Sequence, residues 1–371
     1  MSKRIIILVA AITAVTISLS AQRKLLKFKN IPYRMPVEWY GSQEALQVAD
    51  SVLKYQFPSG GWAKNNDWHL PAEGHSWEQR QEVLQHITTD GIGSTIDNGA
   101  TIGEIVLLAK VYAATGKKEY RKAFIRGLDY LLGAQYANGG WPQFFPPRSI
   151  DDAGVPSYSS HITFNDNAMA NVLKLLRNVY EQNAPYDAMK LPSKYQEQAR
   201  DAFDRGISCI LRCQIKKNGK LTVWCQQHDE HTFEPAPARA YELRSFTGSH
   251  ETPTLLELLM SLPNPSDSVV ASVTAAVEWL QAHVIKDMRQ ENFVNAEGKP
   301  DRRLVHHFGS NIWARYYDLE TEEPYVCDRD GIPQPALEYI GYERRNGYGW
   351  YGNTPQEVID AYPSWLSKIK R

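Results

Sequence analysis

Four cysteines in 371 residues are too few to staple a chain of this length, which excludes a fold held by a disulfide framework. Cys209 and Cys213 sit where an earlier copy of the repeat described below has Tyr130 and Ala134, so they read as packed apolar thiols. Cys225 and Cys327 are left as candidates for pairing. Beyond residue 19 the sequence lacks any apolar run near the roughly 20 residues of a membrane-spanning helix, which argues against a membrane anchor. The uncharged stretch 5–19 follows Lys3 and Arg4 and ends in Ser20, Ala21 and Gln22. A basic start, an apolar middle and a small-residue junction predict a signal peptide over 1–21 and a secreted or periplasmic mature chain. No Cys stands at the junction to carry a lipid. Excess charge is missing too: 41 Lys and Arg face 42 Asp and Glu, a net of −1. Without Lys3 and Arg4 the balance is 39 against 42, the wrong sign for nonspecific nucleic-acid binding. An anionic partner would need a local basic cluster or a bound cation.

A long internal repeat is present instead. Gln56, Gly60, Gly61 and Trp62 recur as Gln135, Gly139, Gly140 and Trp141, and a degraded third copy keeps Gln214 and Gly219 with Trp224 displaced downstream. Successive glutamines are 79 positions apart, and Ala123-Phe124-x-Arg126-Gly127 recurs at the same period as Ala202-Phe203-x-Arg205-Gly206. A period this long holds more than one helix, so each copy is expected to be a helical hairpin that buries its apolar face on its neighbours. Apolar spacing at Ala45, Val48, Ala49, Val52 and Leu53, and at Phe124, Leu128, Leu131 and Leu132, predicts a helix entering each loop. Further helices are expected over 103–114, 168–180, 254–262 and 271–284. Three hairpins closing around an axis would give an all-α fold, an α/α toroid of three repeats with irregular, short-strand additions; an open helical solenoid is the alternative.

Past about residue 290, Asn, Gly, Pro and aromatics take over. We divide the mature chain into a helical body over 22–290 and a loop-rich part, 291–371, of the same catalytic unit. The aromatics there can form a small core or platforms for sugars.

An acid precedes each follow-on helix: Asp97 before Asn98, Asp166 before Asn167, and Glu251 before Thr252. Each could be an ordinary helix N-cap. Gathered on one cavity, however, such oxygens suit a hard cation such as Ca²⁺. His228 and His231 lack the helix-borne His-Glu-x-x-His spacing of a zinc site and read as a hydrated turn. Arg239 follows a stiff Pro-Ala-Pro and would be held at a fixed angle.

Long, ordered motifs now coincide with a known family. The segments 138–144, 162–169, 224–229, 234–240 and 313–318 resemble the family 10 pectate lyases, and the resemblance runs from about Ala45 to Gly352. It implies β-elimination on polygalacturonate or oligogalacturonides, assisted by Ca²⁺, with an arginine as base. Position by position it implies Arg239 as the base, Asp97 and Asp166 at the metal, and Asn98, Arg315 and Arg329 on the substrate. A monomer is expected. Two other readings stand beside it. A terpenoid-cyclase-like toroid would need an Asp-x-Asp-Asp motif, where only Asp151-Asp152 is present; a non-catalytic binder of acidic glycans would keep the arginines and lack turnover.

Overall fold

A computed structural model describes residues 26–68, 93–148 and 158–369. The signal peptide expected over 1–21 and the Asp151-Asp152 pair lie outside the described residues. The helical body begins with α1 (Gln43–Lys54), which Ser42 caps by accepting from the Ala45 amide at 3.2 Å. Its buried face is Ala45, Val48, Ala49 and Val52. Three hairpins follow: α2 (Ile102–Thr115) with α3 (Lys118–Ala134), α4 (Ala168–Tyr180) with α5 (Ser193–Cys213), and α6 (Glu251–Met260) with α7 (Asp267–Ala282). The consecutive run from Ile102 to Ala109 in α2 is buried, so this helix lies inside the body, whereas α3 buries one stripe and faces solvent with the rest.

The repeated residues form a latch between neighbouring hairpins. Gln56 Nε2 donates to the Gly60 carbonyl at 2.8 Å, closing its own loop, and to the Ala123 carbonyl of α3 at 2.9 Å. Arg126 donates back to Gln56 Oε1. One period later Gln135 binds Gly139 at 3.0 Å and Ala202 of α5 at 2.8 Å, and Arg205 donates to Gln135 Oε1. Gly139 has φ 94°, and a Cβ there would lie 2.1 Å from the Arg205 carbonyl oxygen, so the latch admits glycine alone. Each loop is pinned by its tryptophan, with Trp62 Nε1 on the Val52 carbonyl and Trp141 Nε1 on the Leu131 carbonyl, both at 2.8 Å.

In the third copy, strands β2 (Lys216–Lys217) and β3 (Lys220–Leu221) are inserted, which displaces Trp224 in sequence but leaves its indole on the Ile210 carbonyl at 2.7 Å. Gln214 reaches Thr222 and Ser272 at 2.7 and 3.0 Å. Ala275 stands where the other copies have arginine, and Gln214 Oε1 is buried without a partner. A fourth pin exists as well: Trp313 Nε1 donates to the Leu280 carbonyl of α7 at 2.7 Å.

The expected all-α, three-repeat toroid is corrected by the strands and by the packing. Among the described residues there are four antiparallel sheets, and the longest strands there are those of the hairpin of β6 (Ile285–Val294) and β7 (Pro300–Ala314), which separates α7 from Trp313. A second sheet runs in the order β10 (Pro333–Gln334), β9 (Pro324–Cys327), β8 (Tyr316–Asp318), β5 (Ser245–Thr247). The helices make a row: α1 packs on α2 and α3, while α8 (Thr354–Ile369) packs on α6 and α7 at the other end. Among the described residues no extensive packing joins α1 to α8. The core is continuous from Ala45 through Trp313 to Trp365, and Trp313, Tyr316, Tyr317, Tyr325, Trp350 and Tyr351 belong to it. Tyr339 and Tyr342 are exposed. All four cysteines are free and buried, so Cys225 and Cys327 are unpaired.

Candidate active site

The polar stretches that follow each tryptophan zip onto one another. Thr95 bridges Phe144, Pro142 bridges Ile162, and β1 (Ile162–Thr163) pairs antiparallel with β4 (Gln227–His228). Thr247 of β5 then bonds the Trp224 carbonyl through its amide at 2.8 Å. This ladder sets the three acidic turns side by side. None of the three acids caps its helix by a side-chain bond. The turns also carry unusual backbone: Asn98, Thr101, Asp166 and Asn167 all have positive φ, a conformation that costs free energy and concentrates at functional sites.

Asn165 Nδ2 lies 3.5 Å from Asp97 Oδ1 and 3.1 Å from Asp166 Oδ2, so one amide spans both carboxylates. Lys64 Nζ sits 2.5 Å from Asp97 Oδ2. Arg315 is buried and reaches Asn165 Oδ1 at 3.0 Å, Asp166 Oδ1 at 3.4 Å and Glu251 Oε1. Its guanidinium also stacks 4.6 Å from the Tyr348 ring centre. Burial opposes the charge on Arg315, but Glu251 with Tyr316, Tyr348 and Asp166 together outweigh it and raise its proton affinity. Burial lifts the Asp166 carboxyl to about 6, against the pull of Arg315 and with help from Asp97 and Glu251.

Arg239 forms a second centre. Its Nη1 lies 3.1 and 3.2 Å from the two Glu242 oxygens, and its amide donates to Glu242 Oε2 at 3.2 Å. Its guanidinium lies 5.4 Å from the Tyr158 ring centre. Burial pulls its proton affinity down, and Glu242 together with Tyr158, Tyr241 and Asp97 outweighs it, so the net direction is up. Tyr348 Oη donates to Glu242 Oε1 at 2.9 Å and lies 2.5 Å from Tyr316 Oη, so the ring that Arg315 stacks on is tied to the partner of Arg239. Arg329, by contrast, is exposed and paired with Glu343 at 3.2 Å. The buried Arg344 holds the same Glu343 and lies 4.5 Å from the Tyr241 ring centre. Asn98 is exposed and donates to Asn65 Oδ1 at 3.0 Å, outside the Asp97, Asp166 and Arg315 contacts.

Sequence reasoning did not single out Lys64, Asn165, Glu242, Arg344 or Tyr348 as site residues. Lys64 follows the first loop tryptophan by two positions and Glu242 follows Arg239 by three, which was the available signal; Tyr348 meets Glu242 across 106 residues and left none.

The His228 turn is also corrected. The ring is buried, accepts from the Cys225 amide at Nε2 (3.1 Å) and lies 2.7 Å from the Phe233 carbonyl through Nδ1, so it is neither hydrated nor a metal ligand. Burial lowers its pKa from 6.5 to about 4. The folded ring binds fewer protons than the unfolded one in this window, so its contribution to stability is complete above pH 6.5 and is lost as pH falls through about 4. That loss is about 3 kcal/mol. NMR titration of the ring checks it, and titration near 6.5 would refute it.

Among the described residues, His161, Asp229 and Glu230 bring ligand-type atoms within 4.8 Å of one another. Their groups are already committed: His161 pairs with Glu230 at 2.9 Å, and Asp229 Oδ1 accepts from the amides of His231 and Thr232. Asp97, Asp166 and Glu251 do not converge that tightly.

The model of the pectic acid lyase family matches residues 56–359. Among solved structures, a family 10 polysaccharide lyase from Cellvibrio cellulosa superposes with a TM-score of 0.74 at 32% identity, covering 91% of this chain and 95% of that one. A mutant of that lyase in complex with trigalacturonic acid gives a TM-score of 0.73 at 32% identity, covering 92% and 99%. No curated protein matches the chain.

Proposed function

Because this chain belongs to the pectic acid lyase family and carries pectate lyase activity, we propose that it cleaves polygalacturonate by Ca²⁺-assisted β-elimination with Arg239 as the base. The observation that carries this reading is the placement of Asp166 and Glu251 on Arg315, with Asp97 joined to Asp166 through the Asn165 amide.

The donor set suits a hard cation. The oxygens belong to carboxylates and Glu251 Oε2 is buried without a partner, while the ion would have to displace Lys64 from Asp97 Oδ2. Asp97 and Asp166 would hold Ca²⁺, and the spread of the three acids leaves room for substrate carboxylates to complete its shell. When bound, the ion draws charge from the uronate and makes the hydrogen on C5 more acidic. The protein's own groups do the rest. Arg315, kept charged by Glu251 and seated over the Tyr348 ring, offers its guanidinium to a uronate carboxylate. Arg329 grips a further carboxylate once it leaves Glu343.

Arg239 takes the C5 proton, the bonding electrons become the C4–C5 double bond, and the C4–O bond breaks to release the leaving chain. The products are 4,5-unsaturated oligogalacturonides. The nearest charged neighbour of Arg239 is the anion Glu242, which helps to hold the proton on. A neutral base therefore becomes available mainly at alkaline pH.

We place the enzyme outside the cytoplasm, on its predicted leader. Among the described residues no helix is long and apolar enough to cross a membrane.

The test is the release of ultraviolet-absorbing unsaturated products from polygalacturonate. Activity is expected to disappear in excess chelator and return with added Ca²⁺. Full activity in chelator removes the ion from the mechanism, and binding without product leaves a glycan-binding protein.

A further inference from the structure

We infer that a cavity walled by Lys27, Lys29, Tyr33, Asn65 and Asn98 is a further binding site for a uronate unit, distant from the unit that undergoes elimination. This rests on the polygalacturonate reading above and extends it. The cavity holds about 350 Å³, within the range of small-molecule sites. A neighbouring cavity of about 620 Å³ shares Lys29, Tyr33, Asn98 and Gly99 with it and reaches Asp166 and Asn167. A chain seated at Asp166 therefore has a continuous path to the two lysines.

The walls offer what an acidic sugar needs. Lys27 and Lys29 supply charge for a carboxylate, and Asn65 and Asn98 supply amides for hydroxyls. Both asparagines are left-handed, with φ 63° and 54°, and they bond to each other at 3.0 Å. Backbone of this kind persists where the surroundings hold it. Tyr33 leaves 57% of its surface exposed, a flat face for a sugar ring. The lysine-bearing segment is fixed to the wall, since the Phe28 amide donates to Asp67 Oδ1 at 2.5 Å.

The floor carries the independent sign of a ligand. Glu104 is 3% exposed, its Oε1 accepts from Trp68 Nε1 at 2.7 Å, and its Oε2 has no partner. A buried polar oxygen left unsatisfied is costly, and a sugar hydroxyl entering the cavity would satisfy it. Burial holds this carboxyl up at about 7, so near neutral pH it repels an anion less than an ordinary glutamate would.

The experiment compares wild type with Lys27→Ala/Lys29→Ala and with Asn65→Ala on oligogalacturonides of increasing length and on polygalacturonate. The loss in kcat/KM is expected to grow with chain length, reaching about tenfold on polygalacturonate and residing in KM, as one lost charge-assisted contact would give. Calorimetry of hexagalacturonate binding to Arg239→Ala, with and without the lysine substitutions, should show the same loss without turnover. Losses equal at every length, or no loss, overturn the site. A wild type that yields no unsaturated product overturns the parent reading instead, and binding to the inactive variant still decides the site on its own.

Discussion

Arg239→Ala is expected to lower kcat on polygalacturonate by at least about 100-fold, the usual contribution of a positioned general base, with substrate affinity nearly unchanged. Arg239→Lys should fail almost as badly. Lysine keeps a positive charge but cannot reproduce the fork on Glu242, where one guanidinium nitrogen meets both carboxylate oxygens while the backbone amide binds the second. Both variants should still fold, because Arg239 sits in a loop and the buried Glu242 keeps the Tyr348 hydroxyl and the backbone amide of residue 239 as partners. Retention of more than about a tenth of wild-type kcat would remove Arg239 from the role of base. The ion pair also gives the direction for its partner. Glu242→Gln preserves the shape of the contact and removes the charge that holds the proton, so its activity profile should move toward lower pH.

Arg315→Met should cost about 3–5 kcal/mol of stability and most of the activity, because it leaves the buried Glu251 without its counter-charge. The same change releases Asn165 and Asp166, so both a structural tie and a substrate contact are lost. Denaturant unfolding measures the first effect, and a loss below about 1 kcal/mol would mean that Glu251 finds another partner. Adding Glu251→Gln to Arg315→Met should recover much of the stability, since an uncharged amide is cheaper to bury, and recover none of the turnover. Recovery of both would reduce Arg315 to a packing residue.

The parts of this molecule that could be read beforehand are those encoded at short range or by regular spacing. The latch between hairpins repeats every 79 residues because each copy solves the same packing problem, and an acid stands close to the start of each follow-on helix. The fourth copy escaped because β6 and β7 separate Leu280 from Trp313, so the period breaks where the chain leaves the helical row. For the same reason the toroid was expected and a mixed helix-and-sheet fold was found: strand pairing across β5, β8, β9 and β10 is a long-range choice with little local signature. Within the site, Asp97, Asp166 and Arg315 come together, but the contacts that set their electrostatics lie far apart in sequence. Lys64 reaches Asp97 across 33 residues, and Arg315 reaches Glu251 across 64. Spacing patterns carry no information about such pairs.

The missing arginine in the third latch has a mechanical consequence. Two joints of the row are fastened by a glutamine held from both ends, and the third by a glutamine held from one, with Gln214 Oε1 idle. The segment that leaves this joint is the one that carries Trp224 and, fifteen positions later, Arg239. If Arg239 is the base proposed above, its segment leaves the one joint of the three that is short of a hydrogen bond, where local opening costs least.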